Sequence, residues 1–191
     1  MTAMQNDLVR AQDEVSASSA GGAPFLIAYG GTLLVTGILY YFLPLSTVAL
    51  IAIFQGSVAL PIAFWLERQL GWQPRSADNP LQSLSVQMAM SQVLALPATI
   101  IPYSLNPAVV PPLLAAVGRG HFLPYAGLHR TRAYVVLAVL VSLGSFALQL
   151  VLGASAFPYI LFFMALVYAF IAPIVYRNAV ALTRDKVNPP A

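Results

Sequence analysis

The chain has 191 residues, 59% of them hydrophobic and 8% charged, with a net charge of +3 and a mean hydropathy of +0.79. Soluble domains are about a quarter charged because their surface must face water, so this composition excludes an ordinary soluble globule and points to a surface facing lipid. The absence of cysteine removes disulfides and thiolate chemistry, and the nine basic residues, scattered at the ends of apolar runs, read as topology signals rather than as a nucleic-acid face.

The first 23 residues are polar, carry Asp7, Arg10, Asp13 and Glu14, and lack the form of a secretory signal. Leu8, Ala11 and Val15 share one side of a short helix, yet a terminal stretch of this kind is expected to be a frayed cytoplasmic tail. Ser16 to Gly22, all small residues, would link it flexibly to the first apolar run.

A bilayer-crossing helix needs about 20 mostly apolar residues. Six runs meet that length: 24–43, 47–66, 81–103, 108–128, 133–152 and 157–176. The first begins at Pro24 and is thinned on one side by Gly30, Gly31 and Gly37, which suits close helix packing or oligomerisation. Only Pro44, Leu45 and Ser46 separate it from the second, so the two form a hairpin. The second holds Gln55 and Pro61, with Trp65 and Trp72 about its end as interfacial anchors.

Ser83, Gln87 and Ser91 recur every fourth residue in the third run and share one face. Ser142, Ser145 and Gln149, at spacings of three and four, share one face of the fifth. Polar groups in hydrocarbon need partners, so both stripes should face the bundle interior, as helix-to-helix contacts or as the lining of a solute path. The sixth run carries Pro158 and Pro173, and a cytoplasmic tail, 178–191, completes the chain.

Basic residues mark the cytoplasmic side. With six crossings and the N-terminus inside, Arg10, Arg68, Arg75, Arg119, Arg130, Arg132, Arg177, Arg184 and Lys186 all fall on one side or in the cytoplasmic part of the fourth crossing. The opposite turns, near 44–46, 104–108 and 153–156, carry none. Were the fourth run to dip in and return, six of the nine would land outside. The charge pattern therefore predicts six crossings with both termini cytoplasmic.

The fourth run departs from the others by holding Arg119 and His121 among Gly118, Gly120 and Pro124. An arginine near a helix centre costs roughly 2.5–3.5 kcal/mol on insertion scales, so it is paired, extended to the interface or functional. Glycine on both sides weakens the helix and Pro124 removes a donor, which predicts two half-helices interrupted at Gly118 to Gly120. The restarted half would offer unpaired N–H groups beside Arg119, suited to an anion. His121, Tyr125 and His129 lie at steps of four, and His121 can carry a proton near neutral pH. His129 reads as an ordinary interfacial residue.

No Asp or Glu lies within a run, two histidines without carboxylate or thiolate companions make no metal site, and no catalytic triad or phosphate-binding glycine pattern occurs. Catalysis and cofactor chemistry are not expected.

Gly30-Gly31-Thr32-Leu33-Leu34-Val35-Thr36-Gly37, Asn79-Pro80-Leu81, Asn106-Pro107 and Gly120-His121-Phe122-Leu123-Pro124-Tyr125 resemble an uncharacterised family of small bacterial membrane proteins of about this length. The resemblance implies a bacterial inner-membrane protein with no assigned activity. His121 and Pro124 match the family pattern; Arg119 departs from it.

The sequence thus points to an all-α integral membrane bundle that binds or transports a small solute, anionic or proton-linked, at a cavity around the fourth helix. The candidate ligand-binding residues are His121, Arg119, Tyr125, Gln87 and Ser91. The alternative is a non-transporting sensor, assembly partner or scaffold, with a membrane-embedded enzyme last.

Overall fold

The computed structural model describes residues 3–72, 78–118, 120 and 122–187, and these form helices joined by short turns, with no strand among them. In order they are α1 (Ala3–Ser18), α2 (Ala23–Leu39), α3 (Leu45–Phe54), α4 (Gly56–Leu70), α5 (Pro80–Leu94), α6 (Leu96–Leu105), α7 (Val110–Val117), α8 (Phe122–Leu128), α9 (Ala133–Leu152) and α10 (Ala156–Val187).

The segment expected to fray is instead helical. Three features hold α1. Val15 and Ala17 are buried, Arg10 pairs with Glu14 one turn on, and Trp72 donates its backbone N–H to the Ala17 carbonyl at 3.4 Å. The flexible link is a tight turn at Ala20–Gly22 in which all three residues take positive φ, at 50, 64 and 80°. Glycine adopts that conformation without a steric cost. Space explains both glycines as well. A Cβ on Gly21 would lie 2.6 Å from the Val175 carbonyl oxygen, and one on Gly22 would run into the Tyr134 hydroxyl.

Three uninterrupted helices, α2, α9 and α10, pack on one another through α10. Gly30 lets α2 approach Tyr168 and Gly37 lets it approach Phe162, while Gly144 makes room for Phe163 between α9 and α10. Two of the three glycines singled out in the first run thus serve contacts within the chain. The largest buried side chains, Tyr168, Phe157, Leu26, Leu33, Leu137 and Ile160, lie between these helices.

The stretches Ala20–Leu39 and Ala133–Leu182 are long and apolar enough to cross a membrane, and α3 with α4, bent by about 40°, makes a third if counted as one. The second stretch is not one rod. Gly153 (φ 55°) turns the chain at Gly153–Ser155, so that α9 and α10 lie against each other. Large apolar side chains such as Val35, Phe146, Leu150 and Phe170 are exposed, as a lipid-facing surface requires.

The remaining six helices are pairs divided by a break: α3/α4 at Gln55, α5/α6 at Ala95, and α7/α8 between Val117 and Phe122. The third break falls where the glycines predict it. At the first, Pro61 withdraws the donor that would reach the Ser57 carbonyl, and the Ser57 hydroxyl bonds the Phe54 carbonyl at 2.7 Å. At the second, Pro97 stands in the first turn of α6 and withdraws the donor that would reach the Val93 carbonyl.

Replacing Gly22 with Ala should cost roughly 1–3 kcal/mol from the left-handed backbone alone, before any clash with Tyr134. Gly31→Ala, inside α2 with nothing within 4 Å of its added Cβ, should keep stability or raise it by up to about 1 kcal/mol. Denaturant unfolding in detergent followed by circular dichroism compares the two, and equal midpoints would contradict this account of the turn.

Candidate functional site

The three breaks meet. Gln55 and Gly56, Ala95 and Leu96, and Val117 and Gly118 all line one cavity of about 280 Å³, closed on the other side by α2 and α10 through Tyr29, Leu33, Met164 and Tyr168. That volume is just under the roughly 300–1,000 Å³ of small-molecule pockets. Its wall is mostly apolar, with polar groups at Tyr29, Gln55, Ser57, Thr99 and Tyr168.

Several of these groups are already fixed. The Tyr29 ring reaches over Gly56, where a Cβ would stand 3.1 Å from the hydroxyl. Thr99 donates to the Leu96 carbonyl at 2.7 Å. The Thr32 hydroxyl lies 3.0 Å from both the Tyr29 carbonyl and Gln55 Oε1, and its single proton serves one of them. The Gln55 side-chain nitrogen has no partner among the described residues. An amide at a helix break with spare hydrogen-bonding capacity, in an apolar wall, can orient a small polar solute.

The residues singled out from the sequence are distributed differently. Arg119 and His121 lie outside the described residues. Gln87 and Ser91 are exposed on α5, Gln87 donating to the Ser83 hydroxyl at 3.3 Å and Ser91 to the Met88 carbonyl at 2.7 Å. The shared face predicted for them exists, but it bonds to itself and does not line the cavity. On α9, Ser142 donates to the Ala115 carbonyl of α7 at 3.4 Å, while Ser145 Oγ and Gln149 Oε1 are buried without partners among the described residues.

Tyr125 belongs to a second polar cluster, where α1 meets the turn between α8 and α9. Its hydroxyl donates to the Ser85 carbonyl of α5 at 3.0 Å, and its ring lies parallel to that of His129, centroids 5.8 Å apart. Tyr134 covers His129 from another side at 5.6 Å and donates its hydroxyl to the Gly21 carbonyl at 2.6 Å. His129 Nδ1 lies 3.0 Å from Ser16 Oγ of α1.

Two further contacts join α1 to the same turn. Gln12 donates to the Gly127 carbonyl at 3.0 Å, and Arg130 pairs with the buried Asp13 at 3.1 Å. Arg130 has φ 51°, a left-handed conformation that costs a non-glycine residue roughly 1–2 kcal/mol. The Asp13 pairing and the α1 contacts on either side offset that strain. Among the described residues no group of three or more His, Asp or Glu is placed to hold a metal ion.

By its sequence His129 reads as an ordinary interfacial residue. It is instead 3% exposed. No periodicity reveals this, because what buries it is α1, distant in sequence. The nearest signal is the placing of Gln12, Asp13 and Ser16 at steps of one and three, which puts all three on one helix face.

Burial holds the His129 imidazole down at about 4, from an ordinary 6.5. The folded protein therefore keeps it neutral while the unfolded chain takes up a proton. This contribution to stability is complete above about pH 6.5 and is lost progressively as pH falls toward about 4. Protease sensitivity of α1 should rise across that window, and His129→Gln should flatten the profile. A profile identical in parent and variant would remove His129 from the account.

The chain belongs to a family of unknown function, DUF7010, which it matches over residues 8–178. That match takes in most of α1 together with all three breaks. Comparison with curated proteins and with solved structures finds no match.

Proposed function

We propose that this member of DUF7010 is a six-crossing membrane protein that binds and moves a small solute at the cavity where its three broken helices meet. The crossings are α2, α3 with α4, α5 with α6, α7 with α8, α9 and α10. Both termini are cytoplasmic, and the setting is a bacterial inner membrane. The placing of the nine basic residues supports that orientation.

The observation that carries the reading is the convergence of the breaks on one cavity. Irregular backbone at membrane depth is tolerated where it is buried in protein or lines a water-filled space. Discontinuous helices near the bilayer midplane form the binding sites of many secondary transporters. Three breaks at separate places would be three defects, each needing its own cover. Three at one cavity make a site.

Gln55 supplies the orienting amide and Tyr29, Ser57 and Thr99 the hydroxyls. Arg119 comes directly after Gly118, which lines the cavity, and His121 precedes α8, so the sequence sets one cation and one titratable group at this break. They make an anionic or proton-linked solute the class to try first. A second reading, an assembly partner, draws support from an apolar groove of about 1,000 Å³ between α2 and α10 that includes the open Gly31.

Proteoliposome flux with a panel of small anions and neutral polar solutes tests the first reading. Gln55→Leu and His121→Ala should each lower flux of the transported solute by about tenfold or more, the equivalent of about 1.4 kcal/mol, with helix content unchanged. A parent that moves nothing in the panel faster than empty liposomes, or variants that match the parent, would sink it.

A further inference from the structure

The inner ends of the three broken helices share one neighbour. α4 ends at Gly71, where a Cβ would run into the Ser18 carbonyl, and Trp72 bonds Ala17. α5 begins beside Asn79, whose side chain donates to the Ala11 carbonyl at 2.9 Å and to Glu14 at 3.3 Å, and Ser18 donates to Gln82 at 3.4 Å. α8 ends in the turn held by Gln12, Asp13 and Ser16. The opposite halves, α3, α6 and α7, pack on one another.

We infer that α1 is a clamp: it holds the near halves α4, α5 and α8 together and thereby closes the cavity on its own side of the membrane. This rests on the reading of the cavity as the solute site. The Ala20–Gly22 turn is the pivot, fastened to α9 by the Tyr134 hydroxyl and set close against α10 at Val175. Beyond the pivot the grip changes along the helix. Val15 and Ala17 are buried, the middle is held by hydrogen bonds and one ion pair, and the far end, with Met4 and Leu8, is exposed. A lever with a fixed pivot, polar fastenings and an exposed end can lift without unfolding the frame.

A continuous run of contacts joins clamp and cavity. Ser16 lies 3.0 Å from His129, which meets Tyr134 at 5.6 Å; Tyr134 stacks on Phe122 at 5.9 Å, and Phe122 sets its edge to Tyr168 at 6.0 Å. Tyr168 lines the cavity. Displacing α1 therefore withdraws a support from the first residue of α8, beside the third break.

The chain has no cysteine, so a single Thr99→Cys, in the cavity wall and buried, reports access to the site. It would be labelled with a water-soluble maleimide in membrane vesicles of both orientations. In the reporter alone, labelling should be slow from the α1 side. Adding Asp13→Asn and Ser16→Ala should speed it from that side only, by about tenfold, as expected when local opening loses an ion pair and a hydrogen bond. Leu8→Ala, at an exposed position, should not.

Unchanged labelling in the double variant, acceleration from both sides, or fast labelling of the reporter alone from the α1 side would each overturn the clamp. A circular dichroism spectrum matching the parent's separates release of α1 from general unfolding. Labelling needs no solute, so the clamp can fail while flux is found, and flux can be missing while the clamp is seen.

Discussion

A helix that stops inside an apolar environment leaves carbonyls and N–H groups without partners, and each must be covered by protein or by water. The chain does this three times. At Gln55, Ala95 and Gly118 the helical ladder is interrupted, and at each the local sequence supplies part of the remedy. Ser57 bonds back to Phe54, Ala98 N–H bonds the Ala95 carbonyl at 3.1 Å, and Gly118 N–H bonds the Leu114 carbonyl at 3.0 Å. The rest comes from assembling the breaks around one space. A break alone in lipid would be costly, so the position of each depends on the others.

That dependence divides the fold. The three uninterrupted helices need only shape, and glycines at 30, 37 and 144 give it by admitting Tyr168, Phe162 and Phe163. The broken ones need fastening at both ends. At one end α3, α6 and α7 fasten one another, with Asn106 capping the turn before α7 by accepting from the Ala108 N–H at 3.0 Å. At the other end α5 packs on α8, and α4 joins them through α1 and the Ala20–Gly22 turn. Side-chain hydrogen bonds and charge therefore concentrate there, in Asp13, Glu14, Asn79, His129 and Arg130.

The sequence is most informative where one residue acts alone on the backbone. Gly118, Gly120 and Pro124 announce the third break because glycine and proline weaken a helix wherever they stand. Pro61 and Pro97 carry the same message for the first two, diluted by the long apolar runs around them. The cavity is not legible in this way, because it is made by residues from five separate stretches whose spacing along the chain has no fixed relation to their meeting in space. Gln87 and Ser91 look like site residues because polar groups in an apolar run ordinarily point inward. Each satisfies itself within its own helix instead, through Ser83 and the Met88 carbonyl, and so has no need to face the interior.

The N-terminal segment shows why local pattern fails most there. Taken by themselves, residues 3–18 offer only Leu8, Ala11 and Val15 as a short apolar side among polar neighbours, and a frayed end is the natural expectation. What orders them is the burial of Val15 and Ala17 near the turn and, along the rest, polar contacts with α5 and with the segments that follow α4 and α8, each of modest net worth. Such a helix forms only when its partners are already in place, and the same modesty makes it the easiest element to displace. The opposite halves of the broken helices bury one another directly, so separating them would expose several interfaces together. If the cavity is to open at all, the balance of contacts favours the side where one helix, on a fixed pivot, holds three ends.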